Sequence, residues 1–289
     1  MMKFKNKNAI ILLLFHIIAA IGLFKITNIS KRTVLFQFIL IILAMVSITG
    51  GYHRLWSHNT YEANPILQIF YLFFGTMASQ NSVINWAKEH RTHHRNEEKP
   101  GDPYNINKGL FHAHIGWLLF PFDKKEEEEI AKTDVSDLES NKLLAFQKKY
   151  YNLLWIVISF GFTHLMMKQW GESTQNIIFS NFIRIVIVLN LTWCINSFAH
   201  YSGEKPYNKN IKASNNKLLG VLTLGEGWHN YHHSYPKDYR ASEPDKINFT
   251  TRFINLTKKL GLSSNHHYND NMRIPIDERF NKKFYKVMK

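Results

Sequence analysis

Four long apolar runs, set in two close pairs, restrict the fold of this 289-residue chain more than any other feature. The first pair covers residues 8–24 and 34–51, joined by the polar stretch 25–33. The second covers 151–167 and 177–196, joined by 168–176. Each run has 17–20 residues, near the minimum for crossing a hydrocarbon layer roughly 30 Å thick. Hydrocarbon offers the backbone no hydrogen-bond partner, so a crossing segment of this kind is helical. A single run reads equally well as a buried soluble helix; four runs in two hairpins point to a bilayer. The predicted fold class is therefore an all-α integral membrane protein with four transmembrane helices in two hairpins. Residues 52–150 and 197–289 then form a helical cap on one side, within a single domain over 1–289.

Three histidine clusters fall in that cap: His53-Arg-Leu-Trp-Ser-His58, His90-Arg-Thr-His93-His94 and His229-Asn-Tyr-His232-His233. Neutral imidazole is the commonest nitrogen ligand for transition metals, and eight imidazoles exceed what one metal needs. The expected product is a site for two metals. The second and third clusters place His at i, i+3 and i+4, which share one helical face, so each cluster is expected to present two or three nitrogens to one point. The first cluster has i and i+5, roughly 140° apart on an ideal helix. It calls for a helix end or two different targets.

A fifth apolar segment, 66–78, tests the topology, because it lies between the first two clusters. If it crossed the bilayer, those clusters would face opposite sides. At 13 residues it is too short to cross and is expected along the interface or folded under the site. The N-terminus, all clusters and the C-terminus then share one side, cytoplasmic by the positive-inside rule, with Lys25, Lys31 and Arg32 opposing from the other loop. The first run, preceded by Lys3, Lys5 and Lys7, also has the pattern of a signal peptide. Its close partner run favours an uncleaved anchor. Arg184, inside the fourth run, is expected to snorkel to the headgroups.

The formal net charge of +14 suits a phospholipid surface or a phosphate-bearing substrate. The Lys and Arg residues are scattered without a recognised binding module, so nucleic acid is not an expected partner. Cys194 is the only cysteine, which excludes a disulfide framework and a thiolate metal site. The run Lys124-Lys125-Glu126-Glu127-Glu128-Glu129 reads as a solvated loop or helix face.

In order and setting, HRLWSH, EHRTHH and HNYHH resemble the membrane acyl-CoA desaturases of the stearoyl-CoA (delta-9) type. The resemblance extends through Gln80-Asn81, Trp86, Gly116-Trp117-Leu118-Leu119, Asn196-Ser197-Phe198-Ala199-His200, Gly225-Glu226-Gly227 and Ile247-Asn248-Phe249-Thr250-Thr251. It implies a di-iron site in the cytosolic cap, held by His53, His58, His90, His93, His94, His200, His229, His232 and His233, with Asn196 acting through a water. His16, His112, His114, His164, His266 and His267 match no ligand position and remain structural or surface residues. The resemblance also implies a bent acyl tunnel lined by Gln80, Trp86, Thr192 and Trp193. Its floor is expected at Ile41 and Met45. Asn8, Asn81 and Lys88 would face coenzyme A. After Gly116-Trp117-Leu118-Leu119 many members carry a basic pair where this chain has Phe120-Pro121-Phe122-Asp123, and Lys88 stands where arginine is usual, losing a bidentate fork for phosphate. An acyl-carrier-protein or lipid-linked acyl chain stands beside coenzyme A as the carrier.

The implied reaction uses dioxygen and two electrons to remove two neighbouring hydrogens, leaving water and a cis double bond, delta-9 by the family pattern. An unactivated methylene has no acidic proton or leaving group, so hydrogen abstraction at an oxidised metal centre is the workable route. No His-Pro-Gly-Gly haem motif appears, and 56 residues follow His233. The expectation is a separate electron donor, cytochrome b5 in an endoplasmic reticulum membrane or a ferredoxin at a bacterial inner membrane. A di-iron hydroxylase is the near rival, and a metal-storage protein the more distant one. Asn248-Phe249-Thr250 and Asn255-Leu256-Thr257 are glycosylation acceptor patterns, both expected on the cytosolic side and unmodified.

Overall fold

The computed structural model describes residues 6–269, so Lys3, Lys5 and cap residues 270–289 lie outside the described residues. Among the described residues four helices have the length and apolarity to cross a membrane: Lys7–Phe24, Lys31–Ser57, Lys142–Lys168 and Thr174–His200. Three of them run well past the apolar stretches that reveal them, and side-chain caps close their starts. Ser30, Asn141 and Ser173 each accept from a backbone N–H in the first turn of the second, third and fourth spans. Span 1 packs on span 4, and span 4 on span 2.

The second span does not stop before the first histidine cluster. From Ser47 to Ser57 it continues as a wide helix, and His58 N–H reaches His53 O at 3.1 Å. A helix bonded i→i+5 turns less per residue than an α-helix. His58, the C-cap of this helix, therefore returns over His53: of the two alternatives, a helix end or two different targets, the structure meets the first, and both rings share one target. All eleven residues of this stretch are buried.

Segment 66–78 is shorter than the candidate spans. It forms the helix Pro65–Met77, capped by Asn64 and started by a proline at its first turn. This inserted helix is wedged against spans 2 and 3, with Gly75 admitting Tyr52 so closely that a Cβ would lie 2.3 Å from its ring.

Arg184 departs from its expected place. It is fully buried, and its guanidinium donates to Gln37 Oε1 (3.0 Å), Met77 O (2.9 Å) and Ser159 O (3.3 Å). Snorkelling fails because these acceptors, two of them backbone carbonyls, lie within reach of the side chain inside the bundle.

The cap is built from short helices on the span ends. Val83–Arg95, capped by Ser82, and His229–Ser234 carry the second and third clusters. A small antiparallel ribbon pairs Glu62–Ala63 with Ser263–Ser264. The final helix Phe249–Lys259 is capped by Asn248. The charged run 124–129 is a solvated helix face, exposed at Lys124, Lys125, Glu127 and Glu128, that also braces the cap. Asp123 and Glu126 form a capping box on Lys124–Lys132, buried Glu126 pairs with Lys108 at 2.6 Å, and Glu129 meets Arg95, Lys125 and Lys132.

Candidate metal centre

Nine histidines converge in two groups. His53, His58, His90, His94 and His232 form one; His93, His200, His229 and His233 form the other, with the ring nitrogens of each group within 4.8 Å of one another. Each of the second and third clusters presents two of its three rings to one point, the smaller number that their spacing allowed, and sends the remaining ring to the other group. His90 and His94 enter the first group while His93 enters the second; His229 and His233 enter the second while His232 enters the first. The reason is angular. Positions i and i+4 nearly eclipse on a helix, whereas i+3 points about 100° away from i+4. Each short helix lies between the two groups and supplies both.

The nitrogens suit a cation. His58 and His90 bring their Nε2 atoms to 2.8 Å, and His232 Nε2 lies 3.0 Å from those of both His53 and His94. In the second group His229 Nε2 is 3.0 Å from His200 Nε2 and 3.1 Å from His233 Nε2. Two imidazoles bound at right angles to one ion, at about 2.1 Å each, stand roughly 3.0 Å apart. His93 Nε2 is buried without a hydrogen-bond partner. Imidazole donors at this spacing fit transition-metal ions.

Acidic side chains stand behind several rings. Asp102 Oδ1 lies 2.8 Å from His93 Nδ1, Glu226 Oε2 3.0 Å from His53 Nδ1, and Glu97 Oε1 3.0 Å from His233 Nδ1. Glu98 approaches His200 Nδ1 at 3.7 Å. Such partners hold the proton on Nδ1 and turn the Nε2 lone pair inward. The sequence reading assigned none of these acids a role. Their signal was proximity, since Glu97 and Glu98 follow the second cluster by three and four residues and Glu226 precedes the third by three. Asp102 gave no such signal, because only a turn brings it back under His93.

Electrostatics keep most of the donors neutral. Burial, with the neighbouring imidazoles second, pushes His58, His90, His94, His229, His232 and His233 well below the ordinary histidine range. Burial also opposes charge on His93, but Asp102 raises it on balance. Glu226 resists its burial through Arg54 and His53 and is held down at about 2. Burial lifts Glu97 to about 7. Arg54 fixes Glu226 with Nε and Nη2 at 3.1 and 2.6 Å.

A cavity of about 350 Å³ reaches this centre, and Asn8, Gln80, Asn81, Trp86, Thr192, Trp193 and Asn196 all line it beside His90. Trp86 stacks on His90, with ring centroids 4.9 Å apart. Its Nε1 donates to Gln80 Oε1 at 3.1 Å, and Gln80 Nε2 donates to Thr192 Oγ1 at 2.8 Å. Three side chains from three elements are thus tied into one girdle around the cavity. Tyr104 also lines it, its hydroxyl 3.2 Å from His90 Nδ1 and its ring 4.5 Å from that of His93. No feature of the sequence singled it out. Lys88 is half-buried and outside the lining. Ile41 and Met45 do not line the cavity either; Met45 stands behind Thr192, its sulfur 3.9 Å from Thr192 Oγ1.

Residues 32–241 match the fatty acid desaturase family. Among curated proteins the chain is 42% identical over 260 residues to stearoyl-CoA desaturase 2 of Mus musculus, covering 89% of this chain and 73% of that one. The stearoyl-CoA desaturase of Homo sapiens is also 42% identical, at 89% and 72% coverage. The acyl-CoA desaturase of Ovis aries is 41% identical at the same coverage. With its histidines gathered beside a lined cavity and a match of this extent, the chain belongs to the fatty acid desaturase family.

Proposed function

We propose that this chain is an oxygen-dependent acyl-CoA desaturase of the stearoyl-CoA type, placing a cis double bond at the delta-9 position of a saturated acyl-CoA. The observation that carries the reading is the girdle Trp86–Gln80–Thr192 set against His90. A storage site needs no such channel. Relatives at 41–42% identity carry the names stearoyl-CoA desaturase and acyl-CoA desaturase.

Two iron ions are the proposed cofactors, one for each histidine group, with Asn196 acting on one of them through a water. The irons, with dioxygen, supply the oxidising power that an unactivated C–H bond requires. The protein's own residues do the positioning. Trp86 and Thr192 narrow the cavity so that one carbon pair rests beside His90. Asp102, Glu226 and Glu97 keep the imidazoles aimed and their Nδ1 protons in place. Burial keeps bulk water from the reacting carbons. Asn8, Asn81 and Lys88 serve the coenzyme A end, and Ile41 and Met45 bound the tail behind Thr192. The whole chain acts as one domain, with its cap on the cytosolic face of the endoplasmic reticulum or a bacterial inner membrane. Two electrons per turnover come from a separate donor, cytochrome b5 or a ferredoxin.

The test is expression in a yeast lacking its own delta-9 enzyme, with fatty acids profiled by mass spectrometry. The expected result is 16- and 18-carbon products with a double bond at carbon 9. An alcohol in place of the alkene assigns the hydroxylase reaction instead.

A further inference from the structure

We propose that Arg184 is a positioning residue: it closes the C-terminal end of the inserted helix Pro65–Met77 inside the bundle and so fixes the place of Gln80 on the cavity. What Gln80 faces rests on the desaturase reading above; the closure itself does not.

A helix end leaves its last carbonyls without internal partners, and a hydrocarbon layer supplies no water to satisfy them. At the end of this helix Gly75 O accepts from Ala78 N–H at 3.1 Å and Thr76 O from Ser79 N–H at 3.2 Å. Met77 O takes Arg184 Nη1 at 2.9 Å, with Ser79 Oγ farther off at 3.4 Å. The third span has a wide turn at Val157–Phe162, where Ser159 O accepts from Thr163 Oγ1 and from Arg184 Nη2. Gln37 completes the set. Its amide nitrogen donates to Asn181 Oδ1 (2.8 Å) and Ser180 Oγ (3.0 Å), which turns its oxygen to Arg184 Nε.

Every hydrogen-bond partner of this buried guanidinium is neutral, and one of them lies at the negative end of a helix dipole. A charge in this setting is costly, and a lysine would offer a point rather than a planar fork for three separated acceptors. The site is therefore built for arginine.

The turn at the end of the inserted helix is the part that needs this support. Ser79 and Asn81 both adopt left-handed backbone, with φ of 63° and 71°, on either side of Gln80. For non-glycine residues such a conformation persists only where the surroundings hold it. Trp155 Nε1 donates to Ser79 Oγ at 2.7 Å, and Asn81 N–H donates to the Tyr151 hydroxyl at 3.0 Å. These hold the turn from the side, while Arg184 holds the helix that feeds it. Thr192, the acceptor for Gln80, lies eight residues after Arg184 on the same span, about 12 Å along the axis. One helix thus sets the depth of the inserted helix and meets the amide that this depth delivers.

The test compares the full-length protein with R184M and R184K. Hydrogen exchange of the peptide spanning residues 77–83 is expected to rise roughly tenfold or more in R184M, while peptides holding His90–His94 and His229–His233 stay unchanged and iron content stays near wild type. In the yeast assay R184M is expected to scatter the double bond over neighbouring positions, with R184K intermediate. Exchange that is unchanged, or that rises across the whole chain, overturns the proposal; so does a single unshifted double-bond position. If R184M does not accumulate, R184K carries the same comparison. Absence of any alkene from the wild type defeats the desaturase reading alone, because the exchange result still judges Arg184.

Discussion

The proposed metal centre calls for residues of two kinds, those that would donate a lone pair and those that would aim it. His94 belongs to the first kind, with its Nε2 beside that of His232, so H94A is expected to abolish turnover and lower bound iron. H164A, at a half-buried position outside both groups, is expected to retain most activity; full activity in H94A removes the two-iron assignment. Glu226 belongs to the second kind. E226Q keeps the volume but loses the charge facing His53 and Arg54. Changes behind a metal ligand cost roughly 10–100-fold in metal affinity, and iron retention against a graded chelator is the measurement. Retention equal to wild type excludes Glu226 from that role.

Elements explain how residues far apart in sequence meet. The wide helix Ser47–Ser57 lays His58 over His53, and Gly75 of the inserted helix lets its Tyr52 approach. G75V introduces branched carbon where even one Cβ comes within 2.3 Å of the Tyr52 ring. Overpacking of this kind costs about 1–3 kcal/mol. A lowered Tm in detergent is expected, accompanied by iron loss. The final helix adds a second case. Asn248 is buried, its Oδ1 accepts from Thr251 N–H and Arg54 Nη2, and its Nδ2 donates to Arg240 O and Ser242 Oγ. It is expected to remain unglycosylated in a eukaryotic host for this reason as well as for its side of the membrane. An endoglycosidase-sensitive mass shift traced to Asn248 contradicts both grounds.

At the scale of the whole molecule, the question is how far an acyl chain reaches past the girdle. Met45 is 1% exposed and sits behind Thr192, so M45A is expected to extend the cavity and favour 18- over 16-carbon acyl-CoA, and M45W to reverse that preference. An unchanged ratio in both variants removes Met45 from the floor. Much of this architecture was legible in the chain itself. Apolar runs of bilayer length, paired by short polar loops, gave four spans because hydrocarbon permits little else. Dense histidine clusters gave eight of the nine imidazoles that converge, and the family resemblance gave the ninth, His200. Periodicity says which residues share a helix face, but not what each face meets. Whether His93 joins His90 or opposes it, whether His58 can return over His53, and where a buried Arg184 finds its acceptors depend on packing between segments distant in sequence. The sequence by itself therefore determined the span helices and the identity of the clustered donors. Only the tertiary structure decided their division into two groups, the acids behind them and the depth of the inserted helix, because each is fixed by contacts that no local period encodes.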